Sequence, residues 1–213
     1  MNQRFAHDLE YGGGSSVAGA DEAGRGCLAG PLVAAAVCFD YETWSDDDFV
    51  TLDALNDSKK LTRTARGVLY PLVLRRAHEV AVVTFAAQSI DRLGLQVCNI
   101  GALERCLVLL TPLPTRAIVD GYALGSAAAP HLRMVGGDGR SAAVAAASIV
   151  AKVTRDRLMI ALHERWPHYG FDRHKGYACA DHQQAIAEHG VCELHRLSFN
   201  SVAYQQLGLG LQQ

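Results

Sequence analysis

Acidic side chains follow three apolar stretches of the sequence, and carboxylates in such positions are candidates for metal-assisted chemistry. Residues 16–20 are small and apolar and predict a strand, and Asp21 and Glu22 come directly after them. Two later stretches end in the same way, at Asp120 and at Asp138. In sheets that contain parallel strands, the strand ends meet in a crevice at one edge. We therefore expect the four carboxylates to lie close together.

Four neighbouring carboxylates repel one another, and divalent cations relieve that repulsion. Oxygen ligands select hard cations, so we expect Mg²⁺ or Mn²⁺, with two ions in the site. Two ions about 3.5–4 Å apart activate a water molecule and stabilise the leaving oxygen of a phosphate ester. Because neighbouring strand residues point to opposite faces, we also infer that the first strand ends or bulges at Glu22.

An arginine between two glycines follows the first pair of acids. Gly24 and Gly26 carry no Cβ, which lets the backbone approach a ligand closely. Arg25 can bind a phosphate with both arms of its guanidinium group. The stretch lacks the Lys-Ser/Thr pair of a P-loop and the G-x-G-x-x-G spacing of a dinucleotide site, so neither kind of site is favoured.

Basic residues are concentrated in one segment, although the whole chain has a formal charge of −2. Residues 58–78 contain six Lys or Arg and no acid. Within this segment we expect Lys59 and Lys60 to contact the phosphates of a nucleic acid, whereas the later arginines are equally well explained as a solvated helix face. Lys175 and Tyr177 lie in a predicted loop, where a cation can bind phosphate and a ring can stack on a sugar or base.

The six cysteines form no CxxC pair, so they are interpreted as free thiols of a cytoplasmic protein. The alternative is a zinc site built from two Cys-x2-His pairs, a spacing uncommon in zinc sites: Cys179, His182, Cys192 and His195. No apolar run reaches the roughly 18 residues of a membrane span, and the N-terminus does not resemble a secretory signal. We therefore expect no membrane partner, and a monomer.

The elements that must position these residues alternate between strands and helices, which favours an α/β class. Strands are predicted at residues 16–20, 32–39 and 80–86, with two more ending at Asp120 and Asp138. Helices are predicted over residues 62–78 with a kink or restart at Pro71, 89–110, 141–166 and 179–190, with a short one beyond Ser198. We interpret residues 1–15 as a flexible lead-in and residues 16–213 as a single domain.

Several stretches, taken in their order, are similar to one known family: "DEAGRG", "GPLVAAAV", "NDSKKLT", "IVDG", "AAASIVAKVTRDR", "YGFDRHKGY" and "HRLSF". Between about Val17 and Phe199 the chain resembles bacterial ribonuclease HII, the type 2 ribonuclease H. The resemblance implies a ribonuclease H-like fold, with a mixed five-stranded sheet flanked by helices and a helical C-terminal part. It also implies metal-dependent cleavage of the RNA strand of RNA–DNA hybrids, and nicking 5′ of single ribonucleotides in duplex DNA, with 3′-hydroxyl and 5′-phosphate ends.

The family's functional residues match positions of this chain one by one. Its four catalytic and metal-binding acids match Asp21, Glu22, Asp120 and Asp138. Its Gly-Arg-Gly motif matches Gly24, Arg25 and Gly26, and its junction-sensing tyrosine matches Tyr177. Lys59 and Lys60 lie within its "DSKKL" stretch. Asp156 is the alternative fourth acid, but it is predicted to lie deep in a helix, where we interpret residues 155–157 as a charged face.

The chain departs from the family pattern at three places. Cys27 stands where the family usually has proline, Tyr122 stands where a smaller polar residue such as Asn is common, and the surroundings of Gly136 are less rich in lysine. These departures leave the local phosphate contacts and loop rigidity open. Two hypotheses remain, a metal-dependent nuclease and a hybrid-binding protein without catalysis, and the presence of all four acids favours the nuclease.

Overall fold

The computed structural model describes residues 2–125 and 130–208. Its five strands form one mixed sheet in the order β3-β2-β1-β4-β5. β1 pairs antiparallel with β2 and parallel with β4, and β4 pairs parallel with β5. The strands are β1 (Ser16–Ala23), β2 (Leu32–Asp40), β3 (Glu79–Phe85), β4 (Ala117–Asp120) and β5 (His131–Met134).

Helices connect and flank these strands, as the α/β prediction requires. In chain order the α-helices of the described residues are α1 (Gln3–Gly12), α2 (Asp46–Thr51), α3 (Arg63–Arg76), α4 (Ala87–Leu93), α5 (Leu95–Val108), α6 (Ala142–Arg165), α7 (Phe171–His174), α8 (Ala180–His189) and α9 (Val202–Gln206). Short 3₁₀ turns occur at Tyr41–Thr43, Gly137–Gly139 and Pro167–Tyr169.

The chain divides into two compact units. The first comprises Met1–Ala23, Val33–Val83 and Ile100–Val153, and the second comprises Gly24–Leu32, Thr84–Asn99 and Thr154–Gln213. The single catalytic domain expected over residues 16–213 remains a prediction.

The core of the first unit lies between the sheet and α6. Residues Leu32–Phe39 of β2 are all buried, which matches the continuous apolar run of that strand. α6 contributes a series of buried alanines, and it approaches β1 so closely that a Cβ at Gly19 would lie 2.1 Å from the backbone of Ala143. The small residues on both elements therefore bring β1 and the start of α6 together.

The segment expected to be a flexible lead-in contains α1. The side chain of Asn2 accepts a hydrogen bond from the backbone of Arg4 and caps this helix. Phe5 is fully buried and packs edge-on against Tyr41 and Phe49. The helix thus contributes apolar surface to the core of the first unit.

Two helix predictions differ from the structure. The helix predicted over residues 89–110 is divided into α4 and α5, because Gly94 adopts a positive φ of 86° between them. Of the kink or restart expected at Pro71, the restart does not occur, since α3 runs through the proline as one helix. Thr62 caps α3 as predicted, accepting a hydrogen bond from the backbone of Ala65.

Candidate active site

β1 carries the first two acids within its regular ladder. The inference that the strand ends or bulges at Glu22 was wrong, because β2 continues alongside β1 and pairs with it as far as Ala23. Asp21 is only 5% exposed, and its Oδ1 atom accepts a hydrogen bond of 2.7 Å from the backbone amide of Glu22. Glu22 itself is half-buried. The two carboxyl groups are thus held at one end of a central strand.

The third and fourth acids are joined through a short turn. Asp120 is the last residue of β4, the strand beside β1. Its Oδ1 atom accepts a hydrogen bond of 2.8 Å from the backbone amide of Gly137. That glycine begins the 3₁₀ turn that contains Asp138, which is 6% exposed. Asp138 therefore lies between β5, which ends at Met134, and α6, rather than directly at a strand end.

Burial and neighbouring carboxyl groups change the pKa values of two of the four acids, Asp21 and Asp138. Burial raises the pKa of Asp21 well above its ordinary value, and the charges of Glu22, Asp120 and Asp138 raise it further. Burial and a hydrogen bond to Asp57 raise the pKa of Asp138 to about 6. The first unit thus places the other three predicted acids near enough to Asp21 to raise its pKa, an energetic cost that a bound cation would reduce.

The donor set fits a hard divalent cation. All four side chains offer carboxylate oxygens, the ligands that Mg²⁺ and Mn²⁺ prefer. Within the described parts of the chain, no three acidic, histidine or cysteine side chains already form a complete metal-binding group.

A lysine and a fifth acid lie beside the carboxylates. Nζ of Lys59 is 3.9 Å from Oδ2 of Asp138, and the lysine side chain is 81% exposed. Burial disfavours its charge, but the neighbouring carboxylates outweigh this effect and raise the pKa of Lys59. Sequence analysis missed Asp57, which accepts a hydrogen bond from the Lys59 amide at 2.9 Å. Its position next to the "SKK" residues was the available signal. Lys60 is exposed.

The second unit contains the glycine-flanked arginine. Gly24 has a φ of 92°, and a Cβ at this position would lie 2.0 Å from Nε of Arg155. Arg25 is half-buried and its carbonyl accepts a hydrogen bond of 2.9 Å from Arg196, whereas Gly26 is exposed. A glycine is therefore required at position 24 for two reasons: Arg155 leaves no room for a Cβ, and the backbone has a positive φ.

The predicted loop residues Lys175 and Tyr177 differ in their exposure. Tyr177 is 43% exposed, and the guanidinium carbon of Arg155 lies 5.9 Å from the centre of its ring. Burial and the Cys27 thiol raise the pKa of Tyr177. Lys175 is only 7% exposed, and its ammonium group donates to the backbone carbonyl of Asp172. This geometry favours a structural role for Lys175 over the phosphate contact expected from the sequence.

The interpretation of residues 155–157 as a charged helix face was wrong for Arg155, which is fully buried. Sequence analysis also missed Arg196, a second fully buried arginine. Its place within the motif "HRLSF" was the signal that pointed to it. Both arginines therefore belong to the interior of the second unit.

The zinc alternative has no support in the described residues, where no group of three such ligands forms a metal-binding arrangement. His182 and His195 instead bind each other through their Nε2 atoms at 3.2 Å. The backbone amide of Cys192 donates to Nδ1 of His195 at 2.9 Å. All six cysteines are free thiols, as predicted.

The fold is shared with solved nucleases. The ribonuclease H2 of Pyrococcus horikoshii OT3 is 24% identical with a TM-score of 0.74, over 90% of this chain and 96% of that chain. The ribonuclease HII in a PCNA complex from Archaeoglobus fulgidus is 26% identical with a TM-score of 0.70, over 87% of this chain and 95% of that one. The fold and the carboxylates at its sheet edge define a nuclease of the ribonuclease H class.

The sequence places the chain within that class. The family model of ribonuclease HII matches residues 18–202. The ribonuclease HII of Saccharopolyspora erythraea is 42% identical over 93% of this chain and 86% of its own length. That of Nocardia farcinica is 45% identical over 94% of this chain and 78% of its own length. The chain belongs to the ribonuclease HII family and is a ribonuclease H, an endonuclease, which confirms the resemblance.

No helix within the described ranges has the length and apolar character needed to cross a membrane.

Proposed function

We propose that this enzyme is a metal-dependent endoribonuclease with two kinds of substrate. It cuts the RNA strand of RNA–DNA hybrids, and it nicks duplex DNA on the 5′ side of a single embedded ribonucleotide, leaving 3′-hydroxyl and 5′-phosphate ends. The convergence of Asp21, Glu22, Asp120 and Asp138 carries the proposal, because carboxylates held together against their repulsion are suited to hold divalent cations.

Asp21, Glu22, Asp120 and Asp138 would hold Mg²⁺ or Mn²⁺, with two ions in the site. The bound ions supply Lewis acidity and lower the pKa of a water molecule at the scissile phosphate. Lys59 stays protonated beside these carboxylates, and its exposed ammonium group binds a substrate phosphate. The exposed Lys60 extends the same phosphate contact.

Recognition of the ribonucleotide is assigned to the second unit. Backbone groups of Gly24, Arg25 and Gly26 hydrogen-bond the 2′-hydroxyl, the group that distinguishes RNA from DNA at one nucleotide. The ring of Tyr177, which is 43% exposed, packs on the next sugar, where a deoxyribose fits more closely than a ribose. Both contacts involve one nucleotide step, so one ribonucleotide is a sufficient signal.

Three duplexes of one sequence test the proposal: all-DNA, RNA–DNA hybrid, and DNA with a single ribonucleotide. With Mg²⁺ or Mn²⁺ we expect cleavage of the last two, with the nick 5′ of the ribonucleotide, and no cleavage after chelation. The all-DNA duplex binds through its phosphates and resists cleavage. Cleavage in the presence of chelator contradicts the metal dependence, and an intact single-ribonucleotide duplex restricts the enzyme to hybrids.

A monomer acting in the cytoplasm completes the proposal. Light scattering of the purified chain, alone and with the single-ribonucleotide duplex, measures the number of subunits. A mass of two chains for the protein without DNA contradicts a monomer.

A further inference from the structure

Arg155 of the second unit has its guanidinium group fully buried among backbone carbonyls. Its Nε atom donates to the carbonyl of Pro31 at 2.9 Å, Nη1 donates to that of Lys175 at 2.9 Å, and Nη2 donates to that of Ala29 at 3.0 Å. One side chain thus connects two segments that are far apart in sequence, the one that follows Gly26 and the one that precedes Tyr177.

The same guanidinium group also lies against the two elements proposed to recognise the ribonucleotide. It occupies the space that a Cβ at Gly24 would need, with Nε 2.0 Å from that position. Its central carbon lies 5.9 Å from the ring centre of Tyr177. A backbone hydrogen bond of 2.9 Å from the Leu28 amide to the Gly176 carbonyl joins the same two segments. Arg155 therefore fixes both recognition elements relative to each other.

The burial of Arg155 is costly in itself, because a buried cation loses its hydration and arginine does not give up its proton. Hydrogen bonds to three separate carbonyls from the fixed fork of one guanidinium group offset this cost in a way that a lysine ammonium cannot reproduce. Arg196 provides a comparison: it is equally buried, and among the described residues its hydrogen bonds go to the carbonyls of Arg25 and Gly30. Both acceptors of Arg196 thus lie in the first of the two segments that Arg155 connects.

We propose that Arg155 is a positioning residue for ribonucleotide recognition, which sets the Gly24 loop and the Tyr177 segment in one geometry before the substrate binds. The inference rests on the proposed function of these two elements. Arg155 acts through them and does not touch the substrate. A misplaced recognition element alters the position of the scissile phosphate, so its effect falls on the chemical step.

The test compares Arg155→Lys with the wild type and with Arg157→Lys, an exposed position on the same helix. On the single-ribonucleotide duplex we expect kcat to fall roughly a hundredfold with KM nearly unchanged, because phosphate contacts elsewhere are kept. On the continuous hybrid the loss is smaller, and Arg157→Lys behaves as the wild type. Equal losses on both substrates, or a rise in KM alone, overturn the inference.

Hydrogen exchange separates positioning from general instability. Arg155→Lys should raise amide exchange in residues 24–31 and also in residues 174–178, whereas Arg196→Lys should raise it mainly in the first segment. Unchanged exchange in either segment of Arg155→Lys contradicts the inference. If Arg155→Lys does not fold, Gly24→Ala replaces it, because its Cβ displaces the guanidinium group and should increase exchange in both segments.

Coupling to Tyr177 provides the final check. In a Tyr177→Ala background, Arg155→Lys should lower kcat on the single-ribonucleotide duplex far less than it does in the wild type, because the two changes disable the same contact. Fully additive losses overturn the inference. If the wild type does not nick this duplex, the proposed function fails, and the exchange measurements still decide whether Arg155 positions the two segments.

Discussion

At the scale of single residues, the carboxyl groups of the first unit lower the free energy of unfolding of the protein that contains them. Asp21 is buried beside three other acids, and both its burial and their charges raise its pKa. The protein keeps this arrangement although each charge destabilises its neighbours when no cation is bound. The cluster therefore does not stabilise the fold, which agrees with the proposed role of these acids as cation ligands.

Asp138→Asn tests this balance. Turnover should fall by roughly a hundredfold or more, because a ligand for the cation is lost. Without metal the variant should be as stable as the wild type or more stable, since one repelling charge is removed. Activity assays and melting temperatures with and without Mg²⁺ check both outcomes. A variant that unfolds, or one that keeps full activity, argues against Asp138 as a ligand.

Tyr177→Ala tests the recognition of the nucleotide step. The ring is exposed enough to stack on a sugar, an interaction worth roughly 1–3 kcal/mol. We expect a loss of roughly tenfold or more in kcat/KM on the single-ribonucleotide duplex and a smaller loss on the continuous hybrid. Tyr177→Phe, which keeps the ring, is the matched control. Equal losses on both substrates would show that the tyrosine only supports its loop.

At the scale of elements, α1 stabilises the start of α6. Asp8 of α1 is fully buried, and its Oδ2 atom accepts hydrogen bonds from the Tyr41 hydroxyl at 2.9 Å and from the Ala143 amide at 2.8 Å. The second bond satisfies a free amide in the first turn of α6. Because α6 directly follows the turn that contains Asp138, α1 helps to position that acid.

Asp8→Ala should therefore lower the free energy of unfolding by roughly 1–3 kcal/mol, the cost of leaving buried donors without an acceptor. Asp8→Asn keeps one acceptor oxygen and should lose less. Glu10→Ala, at an exposed position of the same helix, serves as the control. Urea denaturation measures all three variants. An Asp8→Ala variant as stable as Glu10→Ala would contradict this role of α1.

At the scale of the whole molecule, buried histidines make stability depend on pH. His182 is fully buried, His195 is 3% exposed, and burial lowers the pKa of each to about 4. Nδ1 of His182 lies 2.9 Å from the carbonyl of Tyr177, so the pair of histidine rings contacts the recognition segment. Protonation would place two N–H groups of facing rings against each other.

The unfolded chain takes up these protons near a pH of about 6.5, whereas the folded protein resists them until about 4. The folded state thus binds fewer protons in this window, and the free energy of unfolding falls as the pH drops through it. His182→Gln should reduce this pH dependence in urea denaturation. The raised pKa of Asp138 changes the free energy of unfolding with pH in the opposite direction. Because the wild type and His182→Gln share this contribution, it cancels when their pH dependences are compared. An unchanged slope contradicts the prediction.

Much of the site was predictable from local sequence. Residues 16–20 and the run before Asp120 are apolar because their strands are buried. The acids that directly follow them could therefore be recognised as charged residues next to apolar strands. Gly24 was singled out because the absence of a Cβ permits a close approach to a ligand, whereas the group that approaches it in the structure is the guanidinium of Arg155. The family motifs occur along this chain in the same order as in the family. The match to the family model and the similarity to solved structures confirm the enzyme class and the ribonuclease H-like fold.

The remaining features depend on contacts between distant parts of the chain. β1 continues through Glu22 because β2 pairs with it, which no pattern within β1 reveals. Arg155 has the sequence context of a solvated helix face, yet three carbonyls that lie more than a hundred residues before it or 20 residues after it surround its guanidinium group. Sequence determined which residues can do the chemistry. Burial, and the partners that compensate for it, were decided only by the tertiary structure, because the free energy of a buried polar group depends on neighbours that folding brings together.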